Sequence, residues 1–580
     1  MGGASSSSRG SQESCLTGAV DVFCDSTGRL GALSYLVPEG QEVRAGDAVH
    51  VPFGKREVHG MVVGPGNPAK ATRPILGVFG RRATHETLEF ARQVAAYHGV
   101  PLVNLAGRLS PSSGRGDPAI AVGPLALVPG RGLLDKVQSH PQRTFLLCGP
   151  LVSRARVVAC EAMHMAEHGQ VLVLCPTVQS VEEVAGQFSG GAVRLDSGSR
   201  RGSWRAFSEG KAMVGIGTRS AALYTGAKMA GVIVLDPDHP GHREPTQPTT
   251  HSQELASWRT QIERWSYTVV GAVPSAKVLG GGVKVVPVDL HAWPSTILLD
   301  RDAAPPSERS IPPALRAVVR KSPGEVVVVA ERKRAVRRCT RCGAPRPCER
   351  CTGKRASVCR CPAADPCPRC RSLGVRMTGW DVVRTRAAIS ERAAVLNGDA
   401  GQQSVLDGHD AQADGNEPQK VAVTTIESLK PGAKPRTVVL FNIDSALRAP
   451  GLSPDSYALR VLVSAAEAAG IGGTLVVCTS DPDQSLLQEV CRQRNTLVTG
   501  KRLWAEAREA GLPPFGHVVT IHSGRELAPS VRGWPGRVHG PKRVGAEWEI
   551  VVIVTPEELD QLRGKLVSLR RRGKVRLRIE

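Results

Sequence analysis

No stretch of this chain approaches the roughly 18 consecutive apolar residues that a membrane span needs. The Ser-rich start, Ser5 to Ser8, also lacks the apolar core of a signal peptide. A cytoplasmic protein without a membrane partner is the expectation. Acidic residues are in short supply as well: 53 Asp and Glu face 75 Lys and Arg, a formal charge of +22 that points to a polyanionic partner, nucleic acid first. The imbalance is local. From Arg563 to Arg578 eight cations, Arg570, Arg571 and Arg572 among them, fall within sixteen residues with no acid. That run is either the solvated face of a helix or a grip on a DNA backbone. A second basic cluster, Arg332 to Arg350, surrounds a group of cysteines.

Those cysteines form four close pairs: Cys339/Cys342, Cys348/Cys351, Cys359/Cys361 and Cys367/Cys370. Eight thiolates suffice for two tetrahedral zinc sites, and Cys-x-x-Cys lets one tight turn present two sulfurs to one metal. A disulfide knot is the alternative, and the same absence of a secretion signal argues against it. The spacing allows two sequential sites or two nested ones. The seven other cysteines lie singly, several in apolar runs, as buried free thiols do.

At 580 residues the chain exceeds one core, and about three to five units are expected. Residues 1–15 read as disordered. From 16 to 70, short alternating runs broken by Gly and Pro predict a small β domain. From 71 to 130 a helical spacing of Leu88, Ala91, Val94 and Ala95, with Thr84 as a cap, begins a second small module, helical with a wing. Apolar strands alternate with helices over 131–295 and again over 296–338 and 373–500, the pattern of two doubly wound α/β lobes, with the cysteine segment 339–372 interrupting the second. Gly401 to Pro418 reads as a loose loop, and 501–580 as a small α+β domain.

In this order the pieces resemble the PriA family of bacterial replication-restart proteins (primosomal protein N′). The stretches that carry the resemblance are Tyr35-Leu36-Val37-Pro38, Gly46, Val51-Pro52-Phe53-Gly54-Lys55-Arg56, Gly217-Thr218-Arg219-Ser220, Asp236-Pro237-Asp238-His239, the eight cysteines and Gly511-Leu512-Pro513-Pro514-Phe515-Gly516. The resemblance implies a 3′-end DNA-binding domain, a winged helix, two helicase lobes with a two-zinc insertion in the second, and a C-terminal domain. It implies nested zinc sites, Cys339, Cys342, Cys367 and Cys370 around one ion and Cys348, Cys351, Cys359 and Cys361 around the other. It also implies DNA contacts at Ser34, Tyr35, Lys55, Arg56 and Arg219, a monomer, and as partners forked or branched DNA, single-stranded DNA-binding protein and helicase-loading primosome proteins.

The departures bear on function. Where the family carries a glycine-rich phosphate loop ending Gly-Lys-Thr, this chain reads Gly149-Pro150-Leu151-Val152-Ser153-Arg154-Ala155-Arg156, so Ala155 and Arg156 stand where a Lys and a magnesium-binding hydroxyl are needed. The family's Asp-Glu-Glu-His becomes Asp236-Pro237-Asp238-His239, a relic acidic motif with Pro at the first Glu position. The family's arginine-bearing run in the second lobe is replaced by Val463 to Gly470, which has no arginine. ATP hydrolysis is therefore not expected, and no residue is assigned a catalytic role. The front pocket's Phe-Asp-Tyr run is Leu33-Ser34-Tyr35, with Ser34 in place of the carboxylate or the pocket lost. Three functions follow: a structure-specific fork-binding restart protein without a motor, an active 3′-to-5′ helicase of the family, or a generic zinc-containing nucleic-acid binder.

Overall fold

The computed structural model describes residues 15–25, 31–109, 122–128, 143–196, 201–246, 248–305, 311–322, 324–330, 336–342, 344, 346, 348, 361, 366–378, 382–390, 421–429, 434–449, 453–527, 531, 533–544, 547–572 and 575–579. Residues 1–14 of the expected disordered start, the loop at 401–418, Cys351 and Cys359 lie outside them. Among the described residues no helix is long and apolar enough to cross a membrane.

The front of the chain is an antiparallel sheet of β1 (Ala19–Cys24), β2 (Leu33–Leu36), β3 (Asp47–Phe53), β4 (Arg56–Pro65) and β5 (Gly77–Arg81), ordered β2-β1-β4-β3-β5. Period-two alternation buries Val20, Val22, Val49, Val51 and Val62 in one cluster. Gly46, at φ 96°, accepts the Arg82 and Ala83 amides, and a Cβ there would sit 1.9 Å from the Ala83 carbonyl oxygen. Only glycine fits. Because β5 pairs with β3, the front sheet runs past residue 70 to Arg81.

The helix His85–Tyr97 starts where the capping residue predicts, with Thr84 Oγ1 accepting the Thr87 amide. Its apolar face does not close a separate core. Leu88, Ala91 and Val94 share one cluster with Leu172, Val232 and Val269 of the next domain. Among the described residues of 71–130 the strands are β5 and β6 (Ala126–Leu127), and β6 pairs with β9 (Phe188–Gly190) of that next domain. The expected winged module is thus, where described, welded to the first lobe.

That lobe is a parallel sheet of β7 (Arg143–Cys148), β8 (Gln170–Leu174), β10 (Ala192–Arg194), β11 (Val214–Gly217), β12 (Met229–Leu235), β13 (Ser266–Gly271) and β14 (Lys284–Val288), ordered β10-β11-β8-β12-β13-β7-β14. Helices cover both faces, which is why its central strands are continuously apolar. The second lobe repeats the plan with β15 (Ser295–Asp300), β16 (Val326–Ala330), β19 (Val421–Thr425), β20 (Thr437–Leu440) and β21 (Thr474–Thr479), ordered β15-β21-β20-β16-β19. Between β16 and β19 the cysteine segment leaves and returns through an antiparallel ribbon of β17 (Val336–Cys339) and β18 (Val375–Thr378). The C-terminal domain is an antiparallel sheet, β23 (Arg537–Val544), β24 (Glu547–Val554), β22 (His517–Ser523) and β25 (Val575–Ile579) in that order, backed by the helix Pro556–Arg572.

Two aromatic and cationic nodes join these units. Arg259, 1 % exposed, pairs with Glu263, donates to the Tyr224 carbonyl, Thr87 and Thr225, and lies over the Trp265 ring at 4.7 Å. Tyr97 lies edge-on to Trp258, contacts His517 Nδ1 through its hydroxyl at 3.2 Å, and carries Arg563 over its ring at 4.8 Å. The front helix, first lobe and C-terminal domain meet at that ring. Arg259→Ala would strand the Glu263 charge and the Tyr224 carbonyl in a dry site, so a loss of about 3–5 kcal/mol is expected in the first lobe's transition. Scanning calorimetry, with an exposed Arg→Ala control, checks it.

Candidate functional site

Parallel sheets place ligands outside the carboxyl ends of their strands. In the first lobe the ends of β7, β8, β12 and β13 open onto a cavity of about 510 Å³ shared with the second lobe. Here lie Ser153, Arg154, Ala155, Asp236, Asp238 and His239 from one side, and Arg460, Ser464 and Glu467 from the other. The degenerate motifs are therefore brought together.

The loop after β7 is not a phosphate cradle. The Gly149 amide donates to the Val288 carbonyl, Leu151 to Ala292 and Val152 to Gly149, and Pro150 has no N–H to offer. A cradle needs such donors converging on an anion. Gly149 is kept for packing instead: a Cβ there would lie 2.2 Å from the Asp289 carbonyl oxygen. Arg156 turns away and donates to the Val128 carbonyl at 2.8 Å. Ala155 offers the cavity only a methyl group.

Arg154 fills the gap. From the first turn of the helix Arg154–Ala166, its Nε lies 3.0 Å from Asp236 Oδ1, and its Nη1 donates to Glu467 Oε1 at 2.5 Å. A cation at a helix N-terminus opposes the helix dipole, and the two carboxylates more than offset that. Burial pushes Asp236 and Glu467 above the usual carboxylate range, with Arg154 opposing; burial also disfavours the guanidinium, which the two carboxylates nevertheless hold charged. Asp236 has φ 47°, a left-handed conformation that Asp tolerates better than most residues.

The neighbouring acidic-motif residues serve the backbone. His239 Nδ1 accepts the Gly241 amide, and the Asp238 carbonyl accepts Arg460 Nη1 at 2.7 Å. Burial raises Asp238 and lowers His239. Arg460 was missed in sequence: it stands one helical turn before the Val463–Gly470 run, and only the fold aims it across the cleft. His242 was missed too. Its Nε2 faces the Leu235 carbonyl at 2.7 Å, so that nitrogen carries the proton and Nδ1 accepts the Ser252 hydroxyl at 2.6 Å. Arg219 is committed to Glu244 and the Gly241 carbonyl.

The sulfurs of Cys339, Cys342, Cys367 and Cys370 all lie within 4.8 Å of one another, with Cys339 to Cys370 at 3.5 Å and Cys342 to Cys367 at 3.6 Å. Tetrahedral zinc with bonds of about 2.3 Å needs sulfurs about 3.8 Å apart. The first and last pairs thus come together, as nesting requires. Backbone amides of Cys342 and Arg341 point at the Cys339 sulfur and pull its thiol down to about 6. Those of Cys370 and Arg369 do the same at Cys367, against burial. Two matching turns therefore bring four sulfurs to one point, and the chemistry of the donor set fits zinc. Of the remaining quartet, Cys348 and Cys361 are half-buried, and the other two lie outside the described residues.

On the front sheet, Ser34 faces Asp21 across the β1–β2 ladder, donates to its Oδ1 at 2.6 Å and accepts the Asn67 amide. A carboxylate thus stands beside Ser34 on the neighbouring strand. Tyr35 is buried in the sheet core with its hydroxyl donating to the Pro52 carbonyl. Its ring is packing. Lys55 and Arg56 are exposed at the tip of the β3–β4 hairpin, which Arg73 braces through the Gly54 carbonyl.

The basic tail is more structured than a solvated helix face. Arg563 pairs with Asp560, Lys565 donates to the Gly533 carbonyl, and Arg576 pairs with Glu547. Arg576 and Arg578 sit on β25, whose alternation buries Leu577 and Ile579. Arg570, Arg571 and Arg572 end the helix Pro556–Arg572, and their side chains lie outside the described set.

A multidomain α/β protein with two parallel-sheet lobes, a four-cysteine centre and a β-sheet front module is the class these features define. Within it, residues 22–111 match a protein-family model for the 3′ DNA-binding domain (3′BD) of PriA. That match supports a PriA-like protein with DNA as a partner. Two solved structures from S. cerevisiae are loosely similar. Dbp5 bound to RNA and ADP BeF3 has 11 % identity and a TM-score of 0.32, covering 73 % of this chain and 97 % of that one. A Dbp5 variant bound to Nup159, a Gle1 variant, IP6 and ADP has 11 % identity and a TM-score of 0.25, covering 63 % and 84 %.

Two outcomes are expected. Cys342→Ser should release zinc from the freshly purified protein, measured by elemental analysis, and unfold the ribbon without melting the front sheet. Burial holds His242 down at about 4 against an ordinary 6.5, so the unfolded chain binds the proton first. The stability that His242 contributes is full above pH about 6.5 and is lost as pH falls towards about 4, and His242→Gln should flatten that part of the stability–pH curve in thermal melts.

Proposed function

We propose that this protein is a cytoplasmic, structure-specific DNA-binding protein of replication restart that recognises branched DNA and helps to reload a replicative helicase without a motor of its own. The match of residues 22–111 to the 3′ DNA-binding domain supports DNA binding. The observation that carries the motorless part is Arg154, which stands with two carboxylates where a polyphosphate would need free donors and a metal. A triphosphate entering there meets Asp236, Asp238 and Glu467 and a loop whose Gly149, Leu151 and Val152 amides are already bonded. Arginine fingers alone contribute about 10³–10⁵ in rate, and the cleft's Arg460 is tied to a backbone carbonyl.

On this proposal the Ser34–Asp21 pair receives a DNA 3′ end, Lys55 and Arg56 hold the adjoining backbone, and a nested pair of zinc ions folds the basic knob of the second lobe. The helix end at Arg570, Arg571 and Arg572 grips another arm. Several modest contacts on different arms gain through effective concentration, so a fork is preferred to linear duplex.

ATP turnover and strand separation should stay at the no-protein level with saturating fork. A fork should bind tighter than linear duplex of equal length at every salt concentration, with a log–log salt slope of about −0.9 per duplex phosphate contact. Reversing Arg570, Arg571 and Arg572 to Glu should weaken all DNA and flatten that slope, whereas Asp21→Asn should weaken only forks with a 3′ end at the junction. Equal affinity for fork and linear DNA would leave a generic polyanion binder, and DNA-stimulated ATP turnover would restore the helicase alternative.

A further inference from the structure

We propose that the two lobes are held closed by an internal clasp, with the Arg154 side chain bridging them in the way a bound ligand otherwise would, so that their mutual placement does not respond to nucleotide. The proposal rests on the motorless reading above and adds what the cleft does instead.

The geometry is reciprocal. Arg154 of the first lobe gives a guanidinium to Glu467 of the second, and Arg460 of the second gives a guanidinium to the Asp238 carbonyl of the first. Glu467 and Arg460 lie two turns apart on one helix, Pro454–Ala469, so one helix face makes both ties. Asp236 and Asp238 are separated by one residue, Pro237, which locks the backbone between them. Each tie thus anchors the same two segments with opposite polarity. An opening motion therefore stretches both ties at once.

Exposure decides how firmly the clasp holds. Arg154 and Glu467 are 17 % and 15 % exposed and Asp236 29 %, so the charges are largely desolvated and separation strands at least one of them without its partner. Ion pairs on an open surface exchange readily with water; pairs this sheltered do not. The triad sets one guanidinium against two carboxyl groups, so an arriving anion meets acceptors rather than donors if Arg154 is drawn away. Binding of a nucleotide would have to overcome the clasp and then the carboxylates.

The consequence reaches beyond the cleft. The front sheet and its helix share a core with the first lobe, and the cysteine ribbon is inserted in the second. A fixed interlobe angle therefore fixes the spacing between the 3′-end module and the four-cysteine knob. The clasp acts as a spacer that sets which fork geometry both can touch.

The test is amide hydrogen exchange on the full chain, with and without MgATP and in the absence of DNA. In the native chain, exchange in peptides spanning 150–156 and 454–469 should not change on adding MgATP. Glu467→Ala should speed exchange in both peptides together, and Glu467→Gln should do so less because the amide still accepts a hydrogen bond. Arg460→Met, which cuts only the second tie, provides an independent variant should Glu467→Ala fold poorly, as zinc content and the front-sheet peptides would reveal. Fork affinity should fall about 5- to 150-fold in the opened variants, the span of ordinary interdomain coupling, with linear duplex affinity unchanged. Protection of the native cleft by MgATP, or unchanged exchange in both Glu467→Ala and Arg460→Met, would overturn the clasp. Loss of fork preference in the native chain with the exchange pattern as expected would overturn the restart function and leave the clasp standing.

Discussion

One guanidinium between two carboxylates, Arg154 with Asp236 and Glu467, sets how the halves of this protein meet. Each lobe folds around its own sheet, and each could do so without the other, because the apolar clusters on both faces of each sheet are largely internal. Across the cleft, polar and directional ties act beside apolar contacts that Ala272 and Val273 make with the second lobe's core. The apolar part is non-directional, whereas the charged ties favour one alignment of the two faces. The loop after β7 is braced against the same edge, with the Gly149 and Leu151 amides bonded to the Val288 and Ala292 carbonyls.

Around that join, polar and basic groups are distributed to the periphery. The front sheet presents the Ser34–Asp21 pair and the Lys55–Arg56 hairpin, and the ribbon of β17 and β18 carries basic residues beside its sulfurs. The four-cysteine centre has little apolar material of its own, so a bound zinc ion would supply folding energy that a core supplies elsewhere. Tyr97, contacted by Trp258, His517 and Arg563, ties the C-terminal domain back to the front helix. Part of the net positive charge thus serves internal struts, and the charge available to DNA is smaller than the composition implies.

The C-terminal segment shows how a charge run conceals structure. Arg563 to Arg578 reads as a basic stretch, yet Val575-Arg576-Leu577-Arg578-Ile579 alternates strictly, and β25 follows that alternation. Two edge strands of the first lobe escaped notice for related reasons. β14 contains Pro287, which demotes a run in sequence but is tolerated at an edge, and β10 is too short to carry a period.

The sequence by itself determined the two-lobe plan, the cap at Thr84, the cysteine pairs and the loss of the phosphate loop, because each depends on local spacing or on the presence of a particular functional group. Tertiary structure alone decided which cysteine pairs meet, that Asp21 stands opposite Ser34, and that the winged region shares the first lobe's core. It also decided the fate of Arg154. In sequence that residue is an arginine in a broken loop, equally fit to touch a phosphate. Its partner Glu467 lies more than three hundred positions away, and an attraction between charges depends on the distance the fold creates, which no local pattern encodes.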